Sequence, residues 1–185
     1  MTLDTARHGP LEDLNLPLSP QFRASLEPFA QRFVLRGEAA LLAPLAAAFG
    51  VAPPAAPLSS ASQGPSSALW LGPDEWLLIA EGEAPETLGA ELEAALASEP
   101  HSLVDVSHRQ AAVMLAGPQA QEALGFGVAL DLDLPAFPVG MVARTMFVKA
   151  EITLWRRGER NWRIEFARSF AGYVRELLLE AARGF

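Results

Sequence analysis

Between residues 137 and 182, dense apolar runs alternate with short polar punctuation. Runs at 141–148, 152–155 and 162–166 are rich in β-branched and aromatic residues, and Arg156-Arg157-Gly158-Glu159-Arg160 separates the last two. That pattern predicts an antiparallel hairpin. The period then changes. Phe170, Val174, Leu177, Leu178 and Ala181 recur at i, i+4, i+7, i+8 and i+11, one face of a helix. Ser169 is its expected N-cap and Gly184 its stop. Full burial of each of the four larger side chains on that face stabilises by roughly 1.5–3 kcal/mol. The helix is therefore expected to lie on the sheet formed just before it.

The chain upstream reads less sharply. Residues 1–28 carry three prolines before Phe22 and no period, which predicts an arm, ordered only where something ties it down. Residues 33–35 predict a short strand closing at Gly37. Residues 38–49 predict a helix with Leu41, Leu42, Leu45 and Phe49 apolar, a kink expected at Pro44 and a stop at Gly50. A long Pro/Ala/Ser connection at 51–67 holds an extended piece near 56–61. Strands at 68–71 and 76–80 flank the tight turn Gly72-Pro73-Asp74-Glu75. Both are apolar on both parities, so both faces are expected to be buried. A helix at 85–98 carries Leu88, Leu92, Ala95 and Leu96 on one side, with Glu83 and Glu86 at its positive end. Strands at 102–107 and 111–115, a short helix at 119–124 and a loop at 125–137 containing Leu130-Asp131-Leu132-Asp133-Leu134 complete the chain.

The halves echo each other. Each gives strand, helix, hairpin, helix, and each hairpin carries two tryptophans, Trp70 with Trp76 and Trp155 with Trp162. The expected class is α+β: two ferredoxin-like strand–helix–hairpin–helix units, with helices packed on antiparallel or mixed sheets. The expected organisation is an N-terminal arm, 1–28, then a single domain, 29–185, made of two pseudo-repeats, 29–100 and 101–185.

Composition bounds the function. Of 185 residues, 50% are hydrophobic and 19% charged, with mean hydropathy +0.18. Two readings stay open: a permanent partner covering surplus apolar surface, or an Ala-rich, well-filled core. The absence of cysteine excludes disulfides, thiolate metal sites, iron–sulfur clusters and cysteine nucleophiles. No apolar run approaches the ~18 residues of a membrane span. The first residues lack the basic and apolar regions of a secretory signal. A cytoplasmic location is expected. The net charge of −8 argues against general nucleic-acid binding. Residues 138–185 hold nine Lys/Arg and five Asp/Glu (+4), while residues 1–137 hold five and seventeen (−12). The two parts either pair within the chain or present a basic face to an acidic partner or polyanionic ligand.

Self-contained chemistry is scarce. Asp105, Ser107 and His108 are the residue types of a hydrolase triad, yet on a strand His108 points away from the other two. His8, His101 and His108 lie at no metal-ligand spacing. Asp131 and Asp133, with leucines between them, are expected to set a loop or an edge strand. Gly125-Phe126-Gly127 precedes no helix, so it is not a dinucleotide fingerprint. The best candidate is the hairpin tip: Trp155, Arg156, Arg157, Arg160 and Trp162 combine the types enriched at interface hot spots and form the candidate subunit contact.

Several segments carry a resemblance: Ala68 to Leu78 (ALWLGPDEWLL), SLVDVSHRQAAVMLAGPQA from Ser102, LDLDLPAFPVG from Leu130, ARTMFVKAEITLW from Ala143, and Arg168-Ser169-Phe170-Ala171. Together they resemble the gamma subunit family of heterotetrameric sarcosine oxidase, over the whole chain after the arm. The resemblance implies a non-catalytic structural subunit with alpha, beta and delta partners. It implies a complex that oxidatively demethylates sarcosine to glycine, with hydrogen peroxide and either formaldehyde or 5,10-methylenetetrahydrofolate. FAD, FMN, NAD and zinc are then expected on the other chains and none on this one. The family is also similar to the folate-binding part of glycine-cleavage aminomethyltransferases, where a Gly-Gly-x-x-Asp segment helps form the folate site. Here Val148-Lys149-Ala150 stands in that place, with Glu151 the nearest carboxylate. The alternative, a stand-alone tetrahydrofolate-binding aminomethyltransferase-like protein, loses weight by that departure.

Overall fold

The computed structural model of the chain describes residues 21–82 and 85–184; residues 1–20 of the expected arm, with His8, and also Glu83 lie outside the described residues. Past residue 20 the arm segment enters a sheet. Strands β1 (Arg23–Leu26) and β2 (Ala30–Gly37) lead to a 3-10 turn, Ala39–Leu41, and to α1 (Leu42–Phe49). Then come β3 (Ser60–Gln63), β4 (Ser66–Gly72), β5 (Glu75–Glu81) and α2 (Leu88–Leu96). The second half holds β6 (His101–Asp105), β7 (Gln110–Ala116), α3 (Ala120–Gly125), β8 (Val142–Phe147), β9 (Ala150–Gly158) and β10 (Asn161–Ala167). A 3-10 turn, Arg168–Phe170, and α4 (Ala171–Ala182) end it.

The strands form two five-stranded antiparallel sheets, ordered β3-β4-β5-β2-β6 and β1-β7-β10-β9-β8. Read from opposite ends the two orders are equivalent, with β2 matching β7, β5 matching β10 and β6 matching β1. The α+β class and the internal repeat are therefore as the pattern implies. The exchange at the edges is not legible in the pattern. β6, which falls in the second sequence half, pairs with β2 and completes the first sheet. β1, from the arm segment, pairs with β7 and completes the second.

Alternation along the strands sets the layers. On β5, Trp76, Leu78 and Ala80 pack with Leu41 just before α1, with Leu45 of α1 and with Leu88, Leu92 and Leu96 of α2. Leu77 and Ile79 point the other way, toward Val142 and Trp155 of the second sheet. On β10, Trp162, Ile164 and Phe166 pack with Leu124 of α3 and Val174 and Leu178 of α4. The layers run helices, sheet, sheet, helices, and the doubly apolar β4 and β5 are buried because each has a layer on both sides. At one corner the sheets are stitched: Val142 N donates to Leu58 O (3.0 Å), and Ser60 Oγ donates to Gly140 O (2.7 Å).

Three local expectations change. Pro44 sits in the first turn of α1, where its missing N–H goes unused, so the helix is not interrupted there. Ser169 lies inside a 3-10 turn rather than capping a helix, and Phe170 in that turn is 36% exposed instead of joining the buried face. Trp70 and Trp76 are direct cross-strand partners, but Trp155 and Trp162 are not. A bulge beside Asn161 shifts the register by one, placing Trp162 opposite Arg156. The two tryptophans thus face different layers.

Candidate functional site

The β9–β10 tip is where the sequence places the candidate contact, and the structure divides its five residues. Trp155, Arg156 and Trp162 are buried, whereas Arg157 and Arg160 are exposed. Of the five, only the two arginines therefore present their side chains to solvent.

Arg156 has an internal task. Its guanidinium lies over the Trp162 ring, 4.4 Å from the centroid. Nη1 donates to the carbonyls of Leu132 (3.0 Å) and Phe137 (2.8 Å), and Nη2 to that of Glu159 (2.7 Å). Burial lowers the Arg156 pKa from the ordinary arginine value, against the opposing pull of Glu159 and Asp133. The side chain thus clamps the Leu130–Leu134 region from behind. That segment is a loop, not an edge strand: Asp131 Oδ1 accepts from Asp133 N (3.0 Å), and Asp133 Oδ1 accepts from Gln121 Nε2 (2.8 Å).

A cluster of buried and half-buried charges lies between the sheets. Glu165 on β10 accepts from Arg32 Nε of β2 (2.8 Å) and Arg163 Nε (2.8 Å), all three being almost fully buried. Arg163 also meets Glu27 (3.2 Å) and Glu81, and Arg157 reaches Glu81 (3.3 Å). Burial works against the Arg163 charge, but Glu165, Glu81 and Glu27 together hold its pKa above the usual arginine value. At the other end, Glu75 joins Arg36 (2.7 Å) to Arg144 of the second sheet (2.6 Å). Burial pushes the Glu75 carboxyl up; hydrogen bonds from Arg144 and Arg36 overcome it and leave the pKa below the usual range. Basic residues of the C-terminal part thus pair with acidic residues of the N-terminal part, within the chain.

The triad residue types are also structural. Asp105 Oδ1 accepts from Ser107 N (2.8 Å) and Ser107 Oγ (2.5 Å), while Ser107 Oγ accepts from Arg32 N (2.9 Å). His108 stacks near Phe29, with ring centroids 5.2 Å apart. His101 contacts the Glu99 carbonyl and Glu93.

A model of the sarcosine oxidase gamma subunit family matches residues 36–183. The chain belongs to that family. The gamma subunit of Corynebacterium sp. (strain U-96) is 39% identical over 144 residues, 77% of this chain and 69% of the relative. That of an Arthrobacter sp. is 36% identical over 146 residues, 77% and 70% of the two chains. Among solved structures, a chain of the heterotetrameric sarcosine oxidase from Corynebacterium sp. U-96, in complex with pyrrole 2-carboxylate, superposes with a TM-score of 0.87 at 32% identity. The match covers 97% of this chain and 96% of that one. Aminomethyltransferase T of the glycine cleavage system from Bartonella henselae gives a TM-score of 0.66 at 16% identity, over 89% of this chain and 47% of that one, and so shares the fold.

The shared fold invites a test for folate. At the place of the glycine pair, β8 and β9 are joined by Val148-Lys149 alone, and Val148 has φ 55°. Glu151 stands exposed on β9, opposite Met146. The turn itself carries no glycine, although Gly127 packs against Phe147 and Val148 and accepts from Val148 N (2.8 Å), and the Glu151 side chain is exposed. The glycine pair and aspartate that the resemblance places here are thus absent from the β8–β9 connection.

Sequence reasoning missed both clusters: Arg32, Glu27, Glu81 and Glu165 around Arg163, and Glu75 between Arg36 and Arg144. Arg32 and Glu165 do carry a signal: charges inside strands, on the parity that faces the other sheet.

Proposed function

We propose that this chain is a non-catalytic subunit of a four-chain sarcosine oxidase, docked on alpha, beta and delta chains in the cytoplasm. The complex demethylates sarcosine oxidatively to glycine, giving hydrogen peroxide and formaldehyde, or 5,10-methylenetetrahydrofolate where tetrahydrofolate is supplied. In this reading FAD, FMN, NAD and zinc reside on the partner chains, and this chain contributes shape and contact area. The observation that carries the reading is the two-way overlap, 97% and 96%, with a whole chain of the Corynebacterium heterotetramer. The internal pairing of the triad residue types, and the lack of the glycine pair and aspartate at the β8–β9 turn, support the non-catalytic part.

Co-expression with the three partner chains tests it. The expected result is a stable four-chain particle on native mass spectrometry that loses integrity when this chain is left out. Full activity of a three-chain particle, with this chain left monomeric, overturns the reading. So does binding of tetrahydrofolate by the isolated chain at micromolar concentration in a calorimeter.

A further inference from the structure

We infer that the loop at residues 129–139 is the element by which this chain docks, and that its counterpart is an apolar patch rimmed by lysine or arginine on a partner subunit. The inference rests on the subunit reading and adds where the contact lies.

The loop is rigid on one side and apolar on the other. Leu132 and Phe137 are its buried anchors. Arg156 holds the carbonyls of these same two residues, while Ala136 N and Phe137 N both donate to Asp133 O (2.9 and 2.8 Å). A loop pinned in this way has the means to turn leucines inward, yet Leu130, Leu134 and Val139 are 41%, 43% and 49% exposed. Phe126, next to the end of α3, is 55% exposed as well. Side chains already fixed in place lose less freedom on association, which favours binding.

The surrounding charge selects the partner. A groove between α3 and the loop is lined by Gln121, Glu122, Leu130, Asp131 and Asp133, among others. No lysine or arginine lines the groove, and of its three carboxylates Asp133 alone is drawn to a cation, the buried Arg156 behind the loop. The adjoining cleft holds Arg156, Glu159 and Arg160 beside Leu134. A second copy of this chain would bring three further carboxylates to the same place, so like charges disfavour self-association. A partner with basic residues around an apolar centre complements both features, as interface cores and rims require.

The test uses the four-chain complex. L130D/L134D changes two exposed side chains, so the isolated variant is expected to melt like the wild type but to bind the other three chains at least tenfold more weakly. E122K is expected to weaken binding several-fold, with a smaller salt dependence than wild type. V104D, on exposed β6, is the control and is expected to assemble normally. Amides of 129–139 are expected to exchange more slowly in the wild-type complex than in the free chain; this decides the matter if L130D/L134D fails to fold. Normal incorporation of L130D/L134D, together with unchanged exchange at 129–139, overturns the docking site and leaves the subunit reading standing. A wild-type chain that never incorporates removes both. A homodimer broken by L130D/L134D assigns the loop to a second copy and overturns the proposed partner.

Discussion

Replacing Glu165 is the sharpest probe of how the two sheets are joined. In E165M two buried guanidiniums, Arg32 and Arg163, lose the carboxylate that both contact at 2.8 Å. Arg163 keeps Glu27 and Glu81, but among the described residues the Arg32 side chain keeps only the Ala30 carbonyl (3.0 Å). Breaking a buried pair by removing one member costs roughly 3–5 kcal/mol, because the remaining charge is stranded. For a chain of this size that is a fall in Tm of about 6–20 °C, or about 1.5–2.5 M in the urea midpoint. The informative comparison is R32M/R163M/E165M. Removing all three charges deletes the desolvation penalty along with the attraction, and Glu27 and Glu81 are partly exposed, so water takes over their solvation. The triple variant is expected to be more stable than E165M. Urea unfolding followed by tryptophan fluorescence reads both. A loss below 1 kcal/mol in E165M, or a triple variant weaker than E165M, refutes the account of a desolvated charge network.

Other expectations follow from single side chains. R156M removes three carbonyl hydrogen bonds and the contact with Trp162; it should destabilise by roughly 2–4 kcal/mol and, in limited proteolysis, open the 129–139 loop first. V148G relieves a β-branched residue at φ 55° in a two-residue hairpin turn; it should stabilise by roughly 0.5–1 kcal/mol, and a lower Tm argues against strain there. Because the Glu75 pKa is depressed in the folded chain, its contribution is complete above the usual carboxylate pKa and lost as pH falls through the folded value. E75Q should therefore flatten the acid limb of a stability-versus-pH curve while leaving the neutral-to-alkaline limb parallel to wild type.

Much of the architecture is written in local periodicity. The doubly apolar β4 and β5, the β9–β10 hairpin and the face of α4 follow from spacing alone, as does the echo between halves. What local pattern does not carry is pairing at a distance. β1 reads RASL and β3 reads SASQ, four residues each with little apolar period; they are strands because β7 and β4 present open edges to them. The burial of the tip residues escapes local pattern for a related reason. Trp and Arg beside a turn suggest a surface, but the bulge rotates Trp162 inward, and Arg156 finds carbonyls 19 and 24 residues upstream. A buried arginine is intelligible only once those distant acceptors are in place.

The edge exchange bears on how the protein is made. The first sheet has all its strands once Asp105 has left the ribosome, whereas β1, near the front of the nascent chain, lacks its neighbour until Ala116 emerges. At ordinary elongation speeds that leaves the earliest strand unmatched for roughly five to twenty seconds. Throughout that interval its amides and carbonyls are open to any foreign edge, so slowing translation before β7 should raise the yield of aggregated product.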